Sequence, residues 1–153
     1  METHKIVMFS LEEPRYALYL SAVERVIRSV EITPLPKAPE KISGVINFQG
    51  EVIPVIDIRK LFRLPKHEIG LDDQFIIART SKRLVVLAVD YVGEVTEISD
   101  FKIKDFKKTL PFAELISGVT VFENNIILIN DLEKFLSLDD EKTLENALKG
   151  KIK

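Results

Sequence analysis

The sequence predicts an all-β protein built from two similar small lobes. Short apolar runs separated by turn residues recur along the chain, and some, such as residues 84–89, are apolar without alternation, as in strands buried on both faces. An internal repeat divides the chain into two comparable parts, and its 153 residues suffice for one domain or two small ones. These features indicate two small barrels or sandwiches that share a core.

Strands are predicted where β-branched and aromatic residues cluster between turn signals. The segments are residues 6–11, 16–20, 26–30, 51–57, 74–80, 83–90, 118–122 and 125–129. Charge and proline in residues 12–15 predict a hairpin turn, and three prolines in residues 33–39 predict an irregular crossing or an edge, because proline cannot donate to a strand ladder. Ser21 and Glu24 have the spacing of a capping box, which predicts one helical turn there.

Predicted helices are short, except at the C-terminus. Asp57 and Asp131 each stand where a strand meets apolar residues at helical spacing, so each is expected to be an N-cap. Residues 139–149 form an amphipathic segment that is predicted to end before Gly150, a common stop residue. This segment begins a C-terminal helical tail over residues 139–153.

The repeat aligns residues 43–64 with residues 117–138 at an offset of 74, and eight of the 22 aligned positions are identical. The front halves align more weakly at an offset of 69, which places residues 6–11 over residues 75–80. Chance similarity between β-rich segments is the alternative explanation. The repeat is the better one, because shared composition inflates apolar matches but not matches of Ser, Asp and Lys.

Two lobes are therefore expected, over approximately residues 5–72 and 73–138, and an exchange of strands between them stays open. A unit of roughly 65–70 residues has a marginal core on its own. The lobes are thus expected to depend on each other and to leave a groove between them.

The composition excludes several classes of site. The chain has no cysteine and only two histidines, His4 and His67, so disulfides, thiol nucleophiles and cysteine-containing zinc sites are excluded, and we expect no metal and no cofactor. Its 22 basic and 24 acidic residues give a net charge of -2, whereas nucleic-acid binders usually carry a basic excess. No apolar stretch is long enough for a membrane span and no signal peptide is visible, so we expect a cytoplasmic protein without direct membrane insertion.

The sequence favours binding over catalysis. Neither phosphate-binding glycine loop is present, and no serine has the context of a nucleophile elbow. Asp57 and Asp131 stand at equivalent places of the repeat, which makes helix capping a better explanation than acid–base chemistry. Only turnover that is lost on changing one of these two residues would support an enzyme.

Residues 44–59 read Gly-Val-Ile-Asn-Phe-Gln-Gly-Glu-Val-Ile-Pro-Val-Ile-Asp-Ile-Arg. This motif resembles that of CheW-type chemotaxis coupling proteins. Residues 16–18, the proline segment before the motif and residues 89–95 agree with the same family, so the resemblance covers about residues 5–138. It implies a single CheW-like domain made of two five-stranded SH3-like barrels.

The resemblance also implies a function. Members of this family have no enzymatic activity and bind both the regulatory domain of the chemotaxis histidine kinase, itself CheW-like, and the cytoplasmic tip of chemoreceptors. The chain is expected to be monomeric alone, to assemble with these partners in arrays, and to be recruited to membrane-bound receptors. It would bind no nucleic acid.

The resemblance places two binding surfaces. The receptor tip is expected in the groove between the lobes, on walls formed by Leu18, Leu20, Val23, Val89 and Val92. Core packing is the alternative for each of these apolar residues. The kinase regulatory domain is expected at the end of the first lobe, at Arg25, Asn47, Phe48, Gln49 and Gly50. Structural roles at turns and caps are expected for Gly44, Asp57, Gly118 and Asp131, and a backbone with positive φ is the preferred interpretation of Gly44 and Gly50.

Two positions depart from the family pattern. Gln49 stands where the family has arginine, and Arg25 stands where it has glutamate. Both side chains are expected to be exposed, and the two changes would be linked if they face each other or a common partner. A paralogue serving a non-standard kinase pathway is one alternative that stays open, and a small β-barrel nucleic-acid-binding protein is another.

Overall fold

The computed structural model describes residues 3–12, 15–99 and 113–152. In these ranges it contains ten strands and two α-helices. The strands are β1 (Thr3–Ser10), β2 (Arg15–Tyr19), β3 (Val23–Arg28), β4 (Ile42–Phe48), β5 (Glu51–Ile56), β6 (Gln74–Arg79), β7 (Leu84–Val89), β8 (Tyr91–Ser99), β9 (Ile116–Phe122) and β10 (Asn125–Asn130). The helices are α1 (Ile58–Leu61) and α2 (Leu138–Ile152), and 3-10 turns occupy Leu20–Ala22, Ala113–Leu115 and Leu132–Lys134.

The strands form two five-stranded sheets, which confirms the predicted all-β fold class. Sheet 1 has the order β8-β1-β2-β10-β9, and sheet 2 has the order β3-β6-β7-β5-β4. Each sheet contains a parallel pair, β2 with β10 in sheet 1 and β5 with β7 in sheet 2. Replacing each strand of sheet 2 by the strand five places away in the chain gives the order of sheet 1. The two sheets are therefore built alike.

The internal repeat corresponds to strands β1–β5 and β6–β10, but the sheets do not follow it. The first two strands of each repeat join the last three strands of the other repeat. The lobe boundary between residues 72 and 73 consequently separates the repeats and not the sheets, because the strands of sheet 2 run from residue 23 to residue 89. The crossing strands cause this exchange: β3 and β8 leave the preceding hairpin and pair with β6 and β1.

Three hydrophobic clusters stabilise the two sheets. The largest combines both sheets and includes Phe9 and Tyr16 from sheet 1 and Phe62, which follows α1; we call it the inter-sheet core. Two smaller clusters lie on the other faces, around Ile127 in sheet 1 and Phe75 in sheet 2. The central strands are therefore buried on both faces, which is why their sequences are apolar without alternation.

Several local predictions need correction. The predicted strands omit β4 and β8, which are edge strands interrupted by Gly44 and Gly93. The turn before β3 follows Tyr19 and has no side-chain cap, so Ser21 is not an N-cap. The predicted helix end before Gly150 is wrong, because α2 continues through this residue to Ile152. A glycine costs a helix only about 1 kcal/mol relative to alanine.

The tail helix α2 packs on the inter-sheet core through Leu144 and Ala147. Its start is a reciprocal cap, in which Ser137 N donates to Asp140 Oδ2 at 2.9 Å and Asp140 N donates to Ser137 Oγ at 3.1 Å. Lys41 Nζ donates to Asp140 Oδ2 at 2.8 Å and ties the helix to the start of β4. Neither this helix nor any other in the described ranges has the length and apolar character needed to cross a bilayer.

Candidate functional site

The end of sheet 2 carries the residues expected to bind the kinase regulatory domain. We call this surface the sheet-2 end and define it by Arg25, Asn47, Phe48, Gln49 and Gly50. Strands β4 and β5 meet there in a two-residue turn, in which Gln49 and Gly50 have φ of 52° and 82°, as a type I′ turn requires. Asn47 Oδ1 accepts a hydrogen bond from Gly50 N at 3.0 Å. The turn is therefore fixed by its own sequence.

Arg25 and Phe48 bring the two edges of sheet 2 together at this end. Arg25 lies on β3 and Phe48 lies on β4, the strands at opposite edges of the sheet. Arg25 Cζ is 5.4 Å from the centroid of the Phe48 ring, a cation–π contact worth about 0.5–1 kcal/mol at an exposed site. The contact positions the guanidinium group and leaves its charge exposed to solvent.

The two departures from the family pattern lie together. Arg25 and Gln49 are both exposed, as expected, and both line one surface pocket. The neighbouring Glu24 Oε1 pairs with Arg79 Nε at 2.9 Å, whereas Arg25 has no ion pair with any residue in the described ranges. The sheet-2 end thus presents a positioned cation that has no carboxylate of these ranges within ion-pair distance, although Glu24 and Glu51 line the same pocket.

The residues expected to line the receptor groove divide into two groups. Leu18 and Val89 are 1% and 2% exposed and belong to the inter-sheet core, so the expectation that they form groove walls needs correction. Strands β2 and β7 are central in their sheets, which buries these two side chains. Leu20, Val23 and Val92 are half-buried, and the two valines pack against the same core from its rim.

The structural residues also differ from one another. Gly44 has φ of 155°, and a Cβ there would lie 2.4 Å from the Thr33 carbonyl oxygen, so a close approach of two backbones requires glycine. Asp57 caps α1 by accepting a hydrogen bond from Lys60 N at 3.1 Å. Asp131 makes no side-chain cap bond, contrary to expectation, because the chain forms only a 3-10 turn there. Gly118 is buried within β9 and not at a turn.

An arginine that the sequence analysis did not single out joins several segments. Arg59 is 7% exposed, and its guanidinium binds Glu12 Oε1 at 3.1 Å and also Asp90. Glu12 follows β1 of sheet 1, whereas Asp90 lies between β7 of sheet 2 and β8 of sheet 1. The signal that could have found Arg59 is its place among apolar residues at the start of a predicted helix.

Charge and burial oppose each other in this cluster. Burial lowers the pKa of Arg59, but its hydrogen bonds to Asp90 and Glu12 outweigh burial and raise this pKa above the ordinary value. Burial raises the pKa of the Tyr16 hydroxyl, and the nearby charge of Arg59 offsets only part of the rise. Arg59 therefore stays charged, and Tyr16 stays neutral at neutral pH.

One group of side chains in the described ranges has atoms close enough to hold a metal ion. His67, Asp73 and Asp90 each offer one ligand atom within 4.8 Å of the others. Existing bonds already account for this arrangement: Asp73 Oδ2 accepts from Gly70 N at 2.7 Å and lies 3.1 Å from His67 Nε2, while Asp90 pairs with Arg59. The cluster holds the connection between α1 and β6 against the sheets.

Comparison with known proteins fits this architecture. A sequence model of the CheW-like domain matches residues 5–140. The chain belongs to the CheW-like domain family. Chemotaxis protein CheW from Treponema pallidum is 24% identical over 95% of this chain and 89% of that protein. Chemotaxis protein CheA from Borreliella burgdorferi is 29% identical over 69% of this chain and 12% of that protein. The crystal structure of the scaffolding protein TtCheW from Thermoanaerobacter tengcongensis shares 32% identity and a TM-score of 0.83, over 91% of this chain and 96% of that one.

Proposed function

We propose that this CheW-like chain is a chemotaxis adaptor without catalytic activity, which couples chemoreceptors to a chemotaxis histidine kinase through protein contacts. Family membership over residues 5–140 supports the adaptor role. The observation that carries the coupling is the similarity to CheA, since 12% of that protein is similar to 69% of this chain. A kinase with such a region offers this chain a surface built like its own.

The kinase regulatory domain binds at the sheet-2 end. The turn of Gln49 and Gly50 is held by Asn47, and Arg25 is held by Phe48. Rigid, exposed groups lose little side-chain freedom on binding, which favours affinity. Because Arg25 replaces an acidic residue of the family pattern and Gln49 replaces a basic one, this surface suits a kinase whose own surface carries a carboxylate opposite Arg25.

The receptor tip binds at the rim of the inter-sheet core, along Leu20, Val23 and Val92. These side chains are half-buried and apolar, so apolar groups of a partner can extend the core without unfolding either sheet. Val23 and Val92 occupy equivalent positions of the repeat, at the starts of the crossing strands β3 and β8. Leu18 and Val89 support the rim from the core. The protein acts in the cytoplasm, at receptor arrays.

Binding of the purified chain to the kinase regulatory domain and to receptor tips of the same organism tests both surfaces. Arg25→Glu is expected to weaken kinase binding and to leave receptor binding unchanged. Val23→Asp and Leu20→Asp are expected to weaken receptor binding and to leave kinase binding unchanged. Arg28→Glu is the matched control, since Arg28 is also an exposed arginine on β3 but lies outside the sheet-2 end.

The outcomes separate the two surfaces from the function. A folded sample that binds neither partner would overturn the adaptor proposal. Equal effects of Arg25→Glu and Arg28→Glu on kinase binding would remove the sheet-2 end as its site. A large loss of thermal stability in Val23→Asp, with unchanged receptor binding in Leu20→Asp, would show that the rim belongs to the core alone.

A further inference from the structure

A buried carboxylate ends the exposed connection between α1 and β6. Residues 65–72 are all exposed, whereas the next residue, Asp73, is 9% exposed. Buried charges in proteins are paired with an opposite charge or coordinate a metal ion. Within the described ranges the ion-pair partner of Asp73 is His67 alone, which is charged only when it is protonated. Asp73 therefore lacks a permanent cation.

One oxygen of this carboxylate has no hydrogen-bond partner. Asp73 Oδ2 accepts a hydrogen bond from Gly70 N at 2.7 Å and lies 3.1 Å from His67 Nε2. Asp73 Oδ1 accepts no hydrogen bond from the part of the chain that the structure describes. Asp73 lines a cavity of about 70 Å³ together with His67 and Asp90, and one water molecule needs only about 10–15 Å³. The bonds within this cluster thus leave a charge unbalanced and leave room for a ligand.

The neighbouring charges favour a cation as this ligand. Arg59 is shared between Glu12 and Asp90, so these three side chains together carry one negative charge. Asp73 adds a second negative charge, and His67 adds none while it is neutral. Like charges this close repel one another in a partly buried site. A dication bound among them neutralises both charges.

Three ligand atoms have nearly the spacing that one ion requires. His67 Nε2 lies 3.1 Å from Asp73 Oδ2 and 3.9 Å from Asp90 Oδ1, and all three atoms lie within 4.8 Å of one another. Zinc binds imidazole nitrogen and carboxylate oxygen at about 2.0–2.2 Å in a tetrahedral arrangement, so its ligand atoms lie roughly 3.3–3.6 Å apart. Small side-chain rotations bring the three atoms to that spacing. The His67 side chain is 40% exposed, which gives an ion access from solvent.

We propose that His67, Asp73 and Asp90 form a binding site for a divalent transition-metal ion such as Zn²⁺. His67 supplies Nε2, each aspartate supplies one carboxylate oxygen, and water in the cavity completes the coordination. Arg59 keeps its bond to Asp90 and orients that carboxylate toward the ion. The imidazole ligand favours Zn²⁺ over Mg²⁺ and Ca²⁺, which prefer oxygen ligands alone. The expectation of no metal rested on the absence of cysteine and the scarcity of histidine, whereas this site needs one histidine and no cysteine.

A bound ion joins two segments of the chain. Asp73 directly precedes β6, and Asp90 stands between β7 and β8. Leu71, in the connection before β6, is 93% exposed, so apolar packing contributes little to holding that segment in place. Binding is expected to stabilise the fold, because an ion that binds only the folded chain shifts the equilibrium toward it. This role goes beyond the adaptor function and needs neither kinase nor receptor.

Isothermal titration calorimetry of the full chain, prepared without a histidine tag and titrated with Zn²⁺, tests the site. One ion per chain is expected to bind, with a dissociation constant below about 100 µM. In a thermal scan, Zn²⁺ at about one hundred times this constant is expected to raise the melting temperature by roughly 5–11 °C. Mg²⁺ in about tenfold excess over Zn²⁺ is expected not to displace it, because Mg²⁺ binds imidazole poorly.

Two variants and two matched controls locate the ion. His67→Asn and Asp73→Asn are each expected to weaken Zn²⁺ binding by at least about tenfold, because each removes one ligand. His4→Asn and Asp72→Asn change the other histidine and the exposed aspartate next to Asp73, and both are expected to bind Zn²⁺ like the wild type. Since His67 is exposed, His67→Asn is expected to fold and tests the site even if Asp73→Asn does not.

The outcomes that contradict the site are distinct from those that contradict the adaptor function. A folded wild type without saturable binding up to about 1 mM Zn²⁺ would overturn the proposal. Unchanged binding in His67→Asn, or equal weakening in the controls, would place the ion elsewhere and also overturn it. Displacement of Zn²⁺ by Mg²⁺ would show that carboxylates bind the ion without His67, which contradicts the proposed ligand set.

Discussion

Leu18→Ala tests whether the residues first expected in the groove belong to the core. Leu18 is 1% exposed and packs in the inter-sheet core. The substitution removes three carbon atoms, each worth about 0.8 kcal/mol when buried, or about 2.4 kcal/mol of transfer free energy. The cavity left in the inter-sheet core adds to this loss. We expect the free energy of unfolding to fall by about 3–4 kcal/mol, within the range for buried leucines.

Leu20→Ala is the matched control, two residues further along the chain. Leu20 lies in the 3-10 turn and is half-buried, so the same substitution is expected to cost about 1 kcal/mol or less. Urea unfolding followed by far-UV circular dichroism measures both values. In a thermal scan the melting temperature of Leu18→Ala is expected to fall by roughly 6–16 °C, because 1 kcal/mol shifts a domain of this size by about 2–4 °C.

The comparison of the two variants decides the assignment. A loss below about 1 kcal/mol in Leu18→Ala, together with weaker receptor binding at a temperature where both variants are folded, would refute the assignment of Leu18 to the core. Equal losses in Leu18→Ala and Leu20→Ala would refute the distinction between core and rim. If the assignment holds, Leu18→Ala binds the receptor normally once it is folded, and Leu20→Ala binds it less well.

Three further predictions concern the backbone, the tail helix and the buried arginine. Gly44→Ala should lower the unfolding free energy by about 2–4 kcal/mol, because the new Cβ would lie 2.4 Å from a carbonyl oxygen. Gly50→Ala should lower it by only about 1 kcal/mol, since its positive φ is the only source of strain. Similar losses for the two variants in urea unfolding would contradict this difference. The pKa of Asp140 is lowered because hydrogen bonds from Lys41 and from the helix cap outweigh the rise caused by burial. The ionised Asp140 carboxylate should therefore stabilise the fold by about 0.5–1 kcal/mol above pH ~4, and this stabilisation should be lost as pH falls through the lowered pKa. The difference in unfolding free energy between the wild type and Asp140→Asn measures it. A difference that stayed constant from neutral to low pH would disprove the prediction. Arg59→Met should lower the unfolding free energy by about 1–3 kcal/mol by leaving two carboxylates without their cation, and an unchanged urea midpoint would count against the proposed role of Arg59 in joining segments.

The fold class could be predicted because a strand that is buried on both faces has a continuous apolar sequence. Residues 84–89 are apolar without alternation, and they form β7, a central strand with both faces covered. Strand pairing has no comparable signal in the sequence. Nothing local in residues 23–28 shows that β3 pairs with β6, some 50 residues later, instead of with the adjacent hairpin. The pairing partner of β3 depends on how strands from both repeats pack together, which is a property of the whole chain.

The candidate site was predicted in part for a similar reason. A period of two places Leu18 and Leu20 on one face, but β2 ends at Tyr19 and the 3-10 turn that follows changes the direction of Leu20. One of these leucines is therefore buried and the other lies at the rim.

The exchange of strands has a consequence for synthesis on the ribosome. Sheet 2 is contiguous in the chain, so it can close as soon as residue 89 has left the exit tunnel. The hairpin of β1 and β2 emerges before sheet 2 but lacks its neighbours β8 and β10 until residue 130 has followed. At roughly 5–20 residues per second, this hairpin waits for seconds with both edges open, and exposed strand edges are templates for aggregation. This hairpin thus precedes sheet 2 along the chain but is completed after it, and its open edges are exposed to aggregation during that interval.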